Sequence, residues 1–141
     1  MIFVRVADAR GEAHAIIAIG RYEIELGRMD EGLAYARDGL LRSYELDNPS
    51  LVAAALLSLA DAARLQTHHI RGARLLGAVS GILEETGEIF DRYELDVHRR
   101  VEVDARQTLG DRPFEAAWAE GQEMALDDAV EYALSSIDNS P

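Results

Sequence analysis

The sequence predicts an all-α fold of about seven helices, arranged as antiparallel pairs stacked into a short α-α superhelix. Three observations carry this expectation. The only prolines are Pro49, Pro113 and Pro141, and no run of β-branched residues lies between turn signals, so strands find no support. Apolar residues recur at three-to-four-residue steps through most of the chain. Glycines and an Asn-Pro pair stand where those periodic stretches break.

A first helix is expected over residues 8–26, with Ile16, Ile19, Ile24 and Leu26 inward and Gly27 as its stop. Asp30 can cap a second over 31–45, which turns Leu33, Ala36, Leu40, Leu41 and Tyr44 to the core. Asn48-Pro49 is the clearest start in the chain, because Asn accepts from orphan amides and Pro is pre-set for the first helical position. It opens a third helix over 49–66, rich in Ala and Leu, and a fourth over 70–86 closes at Gly87. The fifth, over 91–109, carries Tyr93, Val97, Val101 and Ala105 at four-residue steps and stops at Gly110. Asp111-Arg112-Pro113 starts a short sixth helix, a seventh runs over 126–137, and residues 138–141 should fray.

Length and composition bound the function. A chain of 141 residues and 15.5 kDa is expected to form one domain that buries a core without staples, with helix pairs at 8–47 and 48–87 and capping helices at 88–137. The absence of cysteine excludes disulfides, thiolate metal sites and cysteine nucleophiles. Net charge is −12, and residues 101–141 carry ten acids against Arg106 and Arg112 alone. That field repels phosphate backbones and acidic membranes, so neither nucleic acid nor membrane is an expected partner. Arg5, Asp8 and Arg10 interrupt the apolar start, leaving no signal or spanning segment and a cytoplasmic location as the simplest reading.

Self-comparison shows a weak repeat at an offset of 40: Ile19-Gly20 over Leu59-Ala60, Gly32 over Gly72, Ala36 over Leu76. With Gly27 at the turn, Asp30-Glu31-Gly32 after it and Asp47-Asn48-Pro49 at the end, residues 13–49 resemble a tetratricopeptide repeat. The second copy has Thr67 in place of the turn glycine. A pair of helices cannot bury its apolar face alone, which is why pairs stack. An uncovered edge at the first helix would invite a homodimer or further repeats.

A second resemblance lies toward the other end. Ala73-Arg74-Leu75-Leu76-Gly77-Ala78, Leu109-Gly110, Phe114 to Gly121, Met124 and Leu126 to Leu134 are similar, in that order, to the C-terminal end of large bacterial signal-transduction ATPases, the LuxR-type and related activator regulators. The resemblance covers roughly residues 10–137, with its most specific stretch at 109–134. It implies a helical-repeat region that binds a protein or peptide segment, or other domains of a larger regulator, or else an inducer held between helix pairs. It does not carry over ATPase function, since a chain without Lys has no phosphate loop, and no DNA-reading helix pair is evident. The family's Ser or Thr before the last helix is Ala125 here, which forgoes a side-chain cap worth roughly 0.5–2 kcal/mol.

In the repeat register the first helix of each pair lines the concave face, placing His14, Ile17, Arg21 and Glu25 beside Ala54, Leu57, Asp61 and Arg64 as the candidate partner-binding surface. The plainer alternative makes the four charged residues surface ion pairs of little energetic weight. Ile17 and Leu57 discriminate: exposed, they suggest a peptide groove; buried, they are core. Lys and Asn, which clamp a peptide carboxylate in some tetratricopeptide domains, are absent from Ile17, Arg21, Ala54 and Ser58.

No catalytic, cofactor or metal site is expected. His68-His69 fall in a turn expected to be solvated, where adjacent residues point apart. Glu94, His98 and Glu102 share a helix face, more simply a solvated stripe than a metal or acid-base site. Val79-Ser80-Gly81 lies within a helix, not at a nucleophile elbow. Phe114 and Trp118 read as a hydrophobic plug, with Trp118→Ala expected to cost roughly 3–5 kcal/mol.

Overall fold

The computed structural model describes the backbone of residues 2–135 and the side chains of residues 8–135. Within that span are seven helices and no strand: α1 (Ile2–Glu25), α2 (Met29–Glu45), α3 (Pro49–Leu65), α4 (His69–Thr86), α5 (Arg92–Leu109), α6 (Asp111–Gln122) and α7 (Leu126–Leu134). Consecutive helices pack against one another from α1 to α6, while α7 folds back onto α2, α3 and α4. The last helix, expected to run through 137, stops at Leu134, because Ser135 takes an extended backbone as its C-cap; the expected frayed tail at 138–141 lies outside the described residues.

α3 is the centre of the protein. Every residue from 51 to 63 is buried, because α1, α2, α4, α5 and α7 all pack against it. Its Ala-rich sequence follows from that position: five neighbours can approach one helix only where side chains are small, and Ala also carries the highest helix propensity. The Asn48 side chain accepts from the Leu51 N–H at 3.1 Å ahead of Pro49, as expected.

The turns set the repeat. Gly27, Asp47 and Thr67 take positive φ of 85°, 56° and 62° at successive intervals of 20 residues. At each, the next N–H reaches back five residues: Arg28 to Glu23 O at 2.9 Å, Asn48 to Ser43 O at 3.1 Å, His68 to Ala63 O at 2.8 Å. These are Schellman turns, which satisfy the last carbonyls of one helix while reversing the chain. Gly87, with φ 75°, ends α4 a further 20 residues on. The 40-residue offset therefore corresponds to two helix-turn units of 20.

Several expected positions differ. The helix face inside α1 is Ala13, Ile17, Gly20 and Ile24, whereas Ile19 and Leu26 are exposed; Leu41 and Tyr93 are exposed as well. The cause is the closeness of the first pair. A Cβ on Gly20 would lie 2.9 Å from the Ala36 nitrogen, and one on Gly32 would lie 2.5 Å from Ile24 Cγ1. Glycines occupy the line of closest approach, and the larger residues are displaced from it. Asp30 falls inside the first turn of α2, whose N-cap is Arg28 with no side-chain bond. α5 begins at Arg92 with Asp91 as its cap: the Asp91 carboxylate accepts from the Glu94 N–H at 2.9 Å and Glu94 accepts from the Asp91 N–H at 3.1 Å.

Candidate functional site

α5 crosses the face that α1 and α3 would otherwise present. Arg64 on α3 donates to Asp61 at 2.9 Å and to Asp104 of α5 at 3.3 Å. Near the end of α1, Glu25 accepts from the Tyr93 hydroxyl and lies 3.9 Å from an Arg100 nitrogen. Four of the eight residues expected on the concave face thus differ in setting: Leu57 and Asp61 are buried, and Arg64 and Glu25 are tied to α5. Ile17 is buried too, at 3% exposure against 0% for Leu57, so this pair belongs to the core and forms no open apolar groove. The stripe Val97, Val101 and Ala105 of α5 is buried as the sequence predicts, but the polar side chains beside it are ordinary surface types, which gave no sign that they would pair with α1 and α3.

The other four, His14, Ile17, Arg21 and Ala54, come together in a cavity of about 230 Å³. Its wall is completed by Ser50 and Leu51 at the start of α3, Glu88, Ile89 and Phe90 from the link after Gly87, and Glu94 of α5. Of these, the sequence singles out only Glu94, and for a different grouping, with His98 and Glu102. The apolar Ile89-Phe90 pair in an otherwise polar link was the available signal: Phe90 is buried, whereas Ile89 stands 91% exposed at the cavity rim.

Arg21 is the central polar group. Its guanidinium stands 5.2 Å over the Tyr93 ring and one nitrogen lies 3.9 Å from Glu94, yet its Nε and Nη2 are buried without a hydrogen-bond partner. Burying such donors unpaired costs about 1–3 kcal/mol each, so the arrangement favours an acceptor beside them. Burial first, and then the hydrogen bond to Glu25, pushes the Tyr93 hydroxyl up to about 12 and keeps it a neutral donor at neutral pH.

The remaining candidate groups are engaged elsewhere. Glu94 serves the α5 cap, and Glu102 accepts from Arg106 at 2.9 Å, so Glu94, His98 and Glu102 do not converge. His98 lies 4.0 Å from Glu102, and burial lowers its pKa below 6.5. Among the described residues no group of three or more His, Asp or Glu is placed to hold a metal ion. The His68-His69 turn is not solvated as expected: His69 is buried and the His68 Nδ1 is buried without a partner, because the tight turn holds both against the helix ends. Phe114 is buried under the α5–α6 corner with the Arg106 guanidinium 4.3 Å over its ring, but Trp118 is only half-buried and lines a cavity of about 520 Å³ between α4, α5 and α6. The plug is therefore mainly Phe114.

No protein-family model matches the chain, and no solved structure gives a significant match. Similarity along nearly the whole chain does appear elsewhere. Over 134 residues, 94% of the chain, it is 34% identical to proteins provisionally named HTH-type transcriptional regulators in Mycobacterium tuberculosis and Mycobacterium bovis. The chain is a distant homologue of a small part of these regulators. It spans 13% of their length. No described helix is long and apolar enough to cross a membrane.

Proposed function

We propose that this chain is a non-catalytic, tetratricopeptide-like regulatory unit of a cytoplasmic bacterial transcription regulator, and that it works by contact with neighbouring protein segments. The observation that carries this reading is the end-to-end similarity to a 13% stretch of far longer proteins named as transcriptional regulators. The fold suits such a role. A central helix buried on all sides gives a rigid body, and the acidic surface discourages direct contact with nucleic acid. The test is a promoter reporter driven by the Mycobacterium tuberculosis relative, with its matched stretch deleted or replaced by this chain. Deletion should abolish the regulated response and replacement restore it; a response that survives deletion sinks the reading.

A second reading, a small-molecule sensor, draws on the cavity at Arg21. Arg21, Glu88, Glu94 and Ser50 line this cavity together with the apolar Ile17, Leu51 and Phe90, a mixed lining of the kind that holds a small ligand, and a modest turn of the Arg21 side chain would bring its unpaired nitrogens to a ligand's hydrogen-bond acceptor. Thermal-shift screening of small carboxylates against the parent and Arg21→Gln separates the two readings. A ligand that stabilises only the parent favours the sensor, and none doing so favours the protein contact alone.

A further inference from the structure

Between Ala15 and Leu26 the outer face of α1 is apolar, and no described residue covers it. Ala15, Ile19, Tyr22 and Leu26 follow one another at steps of four, three and four residues, and so share one helix face. Ala15 is exposed, and Ile19, Tyr22 and Leu26 are 44%, 62% and 50% exposed. The protein itself shows what belongs on such a face. The 20-residue turns make α3 the counterpart of α1 at an offset of 40, and the counterparts of Ala15, Ile19 and Tyr22 are Ala55, Leu59 and Ala62. Those three are buried, at 0%, 3% and 1% exposure. The counterpart of Leu26 is Gln66, exposed at the helix end. Besides α4, α5 and α7, α3 packs on both members of the helix pair ahead of it, α1 and α2, whereas α1 packs on α2 and α3, which come after it. The opposite end is closed, with α6 laid along α4 and α7 folded back over α2, α3 and α4.

We propose that the Ala15-Ile19-Tyr22-Leu26 face is a docking face for the second helix of a further helix pair of the same kind, standing ahead of α1 in a longer polypeptide. This rests on the reading of the chain as one unit of a larger regulator, whose relatives extend far beyond the stretch that matches. The incoming helix carries an apolar stripe with a small residue opposite Tyr22, because the buried counterpart on α3 is Ala62 and a phenol needs more room than a methyl group. Charge does not oppose its approach. Between residues 8 and 28, Arg10, Arg21 and Arg28 nearly balance Asp8, Glu12, Glu23 and Glu25, so all but one unit of the net −12 of the chain arises elsewhere.

The chain has no cysteine, so a single Tyr22→Cys substitution reports on this face by maleimide labelling. In the 141-residue protein its thiol should label fast at every protein concentration, as should that of the exposed control Gln107→Cys. A lengthened chain in which residues 1–47 are followed by 8–141 supplies a pair in register, since the inner Gly27 then falls 20 residues after the added Asp47. The Tyr22→Cys change also makes the inner face a close copy of Ala55, Leu59 and Ala62. In the lengthened Tyr22→Cys protein the thiol of the inner copy should label at least about tenfold more slowly than that of the outer copy, as burial under a packed helix requires. Equal rates for the two copies, or an added pair that stays unfolded, overturns the proposal. Slow, concentration-dependent labelling in the unlengthened protein also overturns it, by assigning the face to a second copy. Labelling reads stacking alone and the reporter reads regulation, so either can fail without the other.

Discussion

Gly77 of α4 and Gly121 of α6 face each other across the tightest helix crossing in the protein. A Cβ on Gly77 would collide with the Trp118 carbonyl oxygen and lie 2.8 Å from the Gln122 nitrogen, and one on Gly121 would collide with the Arg74 carbonyl oxygen and lie 3.0 Å from the Ala78 nitrogen. These neighbours are backbone atoms and cannot step aside. Gly77→Ala and Gly121→Ala should each cost at least about 3 kcal/mol, the upper end of overpacking effects, with α6 displaced. Gly11, in mid-α1 with nothing within 4 Å of a Cβ, should respond in the opposite sense: Gly11→Ala should gain roughly 0.5–1 kcal/mol of helix propensity. Urea melts of the three variants check this, and a Gly121→Ala protein as stable as the parent would show that the crossing is looser than described.

The Thr67 turn is the strained member of its series. A β-branched residue at φ 62° bears a left-handed conformation that costs L-residues about 1–2 kcal/mol, and its hydroxyl bonds only the adjacent Gln66 carbonyl at 2.5 Å. Thr67→Gly should therefore stabilise the protein by up to about 1 kcal/mol once the larger entropy of an unfolded glycine is offset. The same change at Gly27, to Thr, should destabilise it. Thermal melts that move the other way for Thr67→Gly would mean the Thr side chain holds the turn by a contact beyond Gln66.

The turns also show what was legible in the sequence. Gly27, Asn48-Pro49, Gly87 and Gly110 mark helix ends by local chemistry, so α2 to α6 were placed within two residues of where they lie, whereas α1 begins six residues before its expected start and α7 ends three residues before its expected end, where no such marker stands. Which face of each helix points inward was harder. Hydrophobicity selected Ile19, Leu26 and Leu41, but closest approach between helices is decided by absence of bulk, and Gly20, Gly32 and Gly39 carry no hydrophobic signal. The candidate site was half legible for a related reason. His14, Ile17, Arg21 and Ala54 follow from the repeat register, whereas the α5 cover depends on long-range bonds such as Arg64 to Asp104 that no local pattern encodes.

The α5–α6 corner separates its two aromatics. Phe114 is 2% exposed and Trp118 is half-buried at a cavity wall. Phe114→Ala should cost about 3–5 kcal/mol, the range for a buried aromatic, and it also removes the ring beneath the Arg106 guanidinium. Trp118→Ala should cost less, about 2 kcal/mol, because part of its surface already meets solvent and truncation there opens no sealed void. Tryptophan fluorescence cannot follow both variants, so circular dichroism is the measurement. Equal losses, or a larger loss at Trp118, would return the plug to the tryptophan.

His98 gives the protein an acid sensitivity of determinable sign. Burial between α4 and α5 lowers its pKa below the ordinary 6.5, only partly opposed by Glu102 at 4.0 Å. The unfolded chain therefore binds the proton first as pH falls, and stability present above about 6.5 is lost on going below it. The charged groups that surround it are the carboxylates Glu84, Glu88 and Glu102 and the guanidinium of Arg106. The parent should melt at a lower temperature at pH 5.5 than at pH 7.5, and His98→Gln, which keeps a polar side chain of similar size, should shrink that difference. If the two proteins lose the same amount, the acid sensitivity belongs to another group and His98 is solvated enough in the folded state to titrate as it does in the unfolded chain.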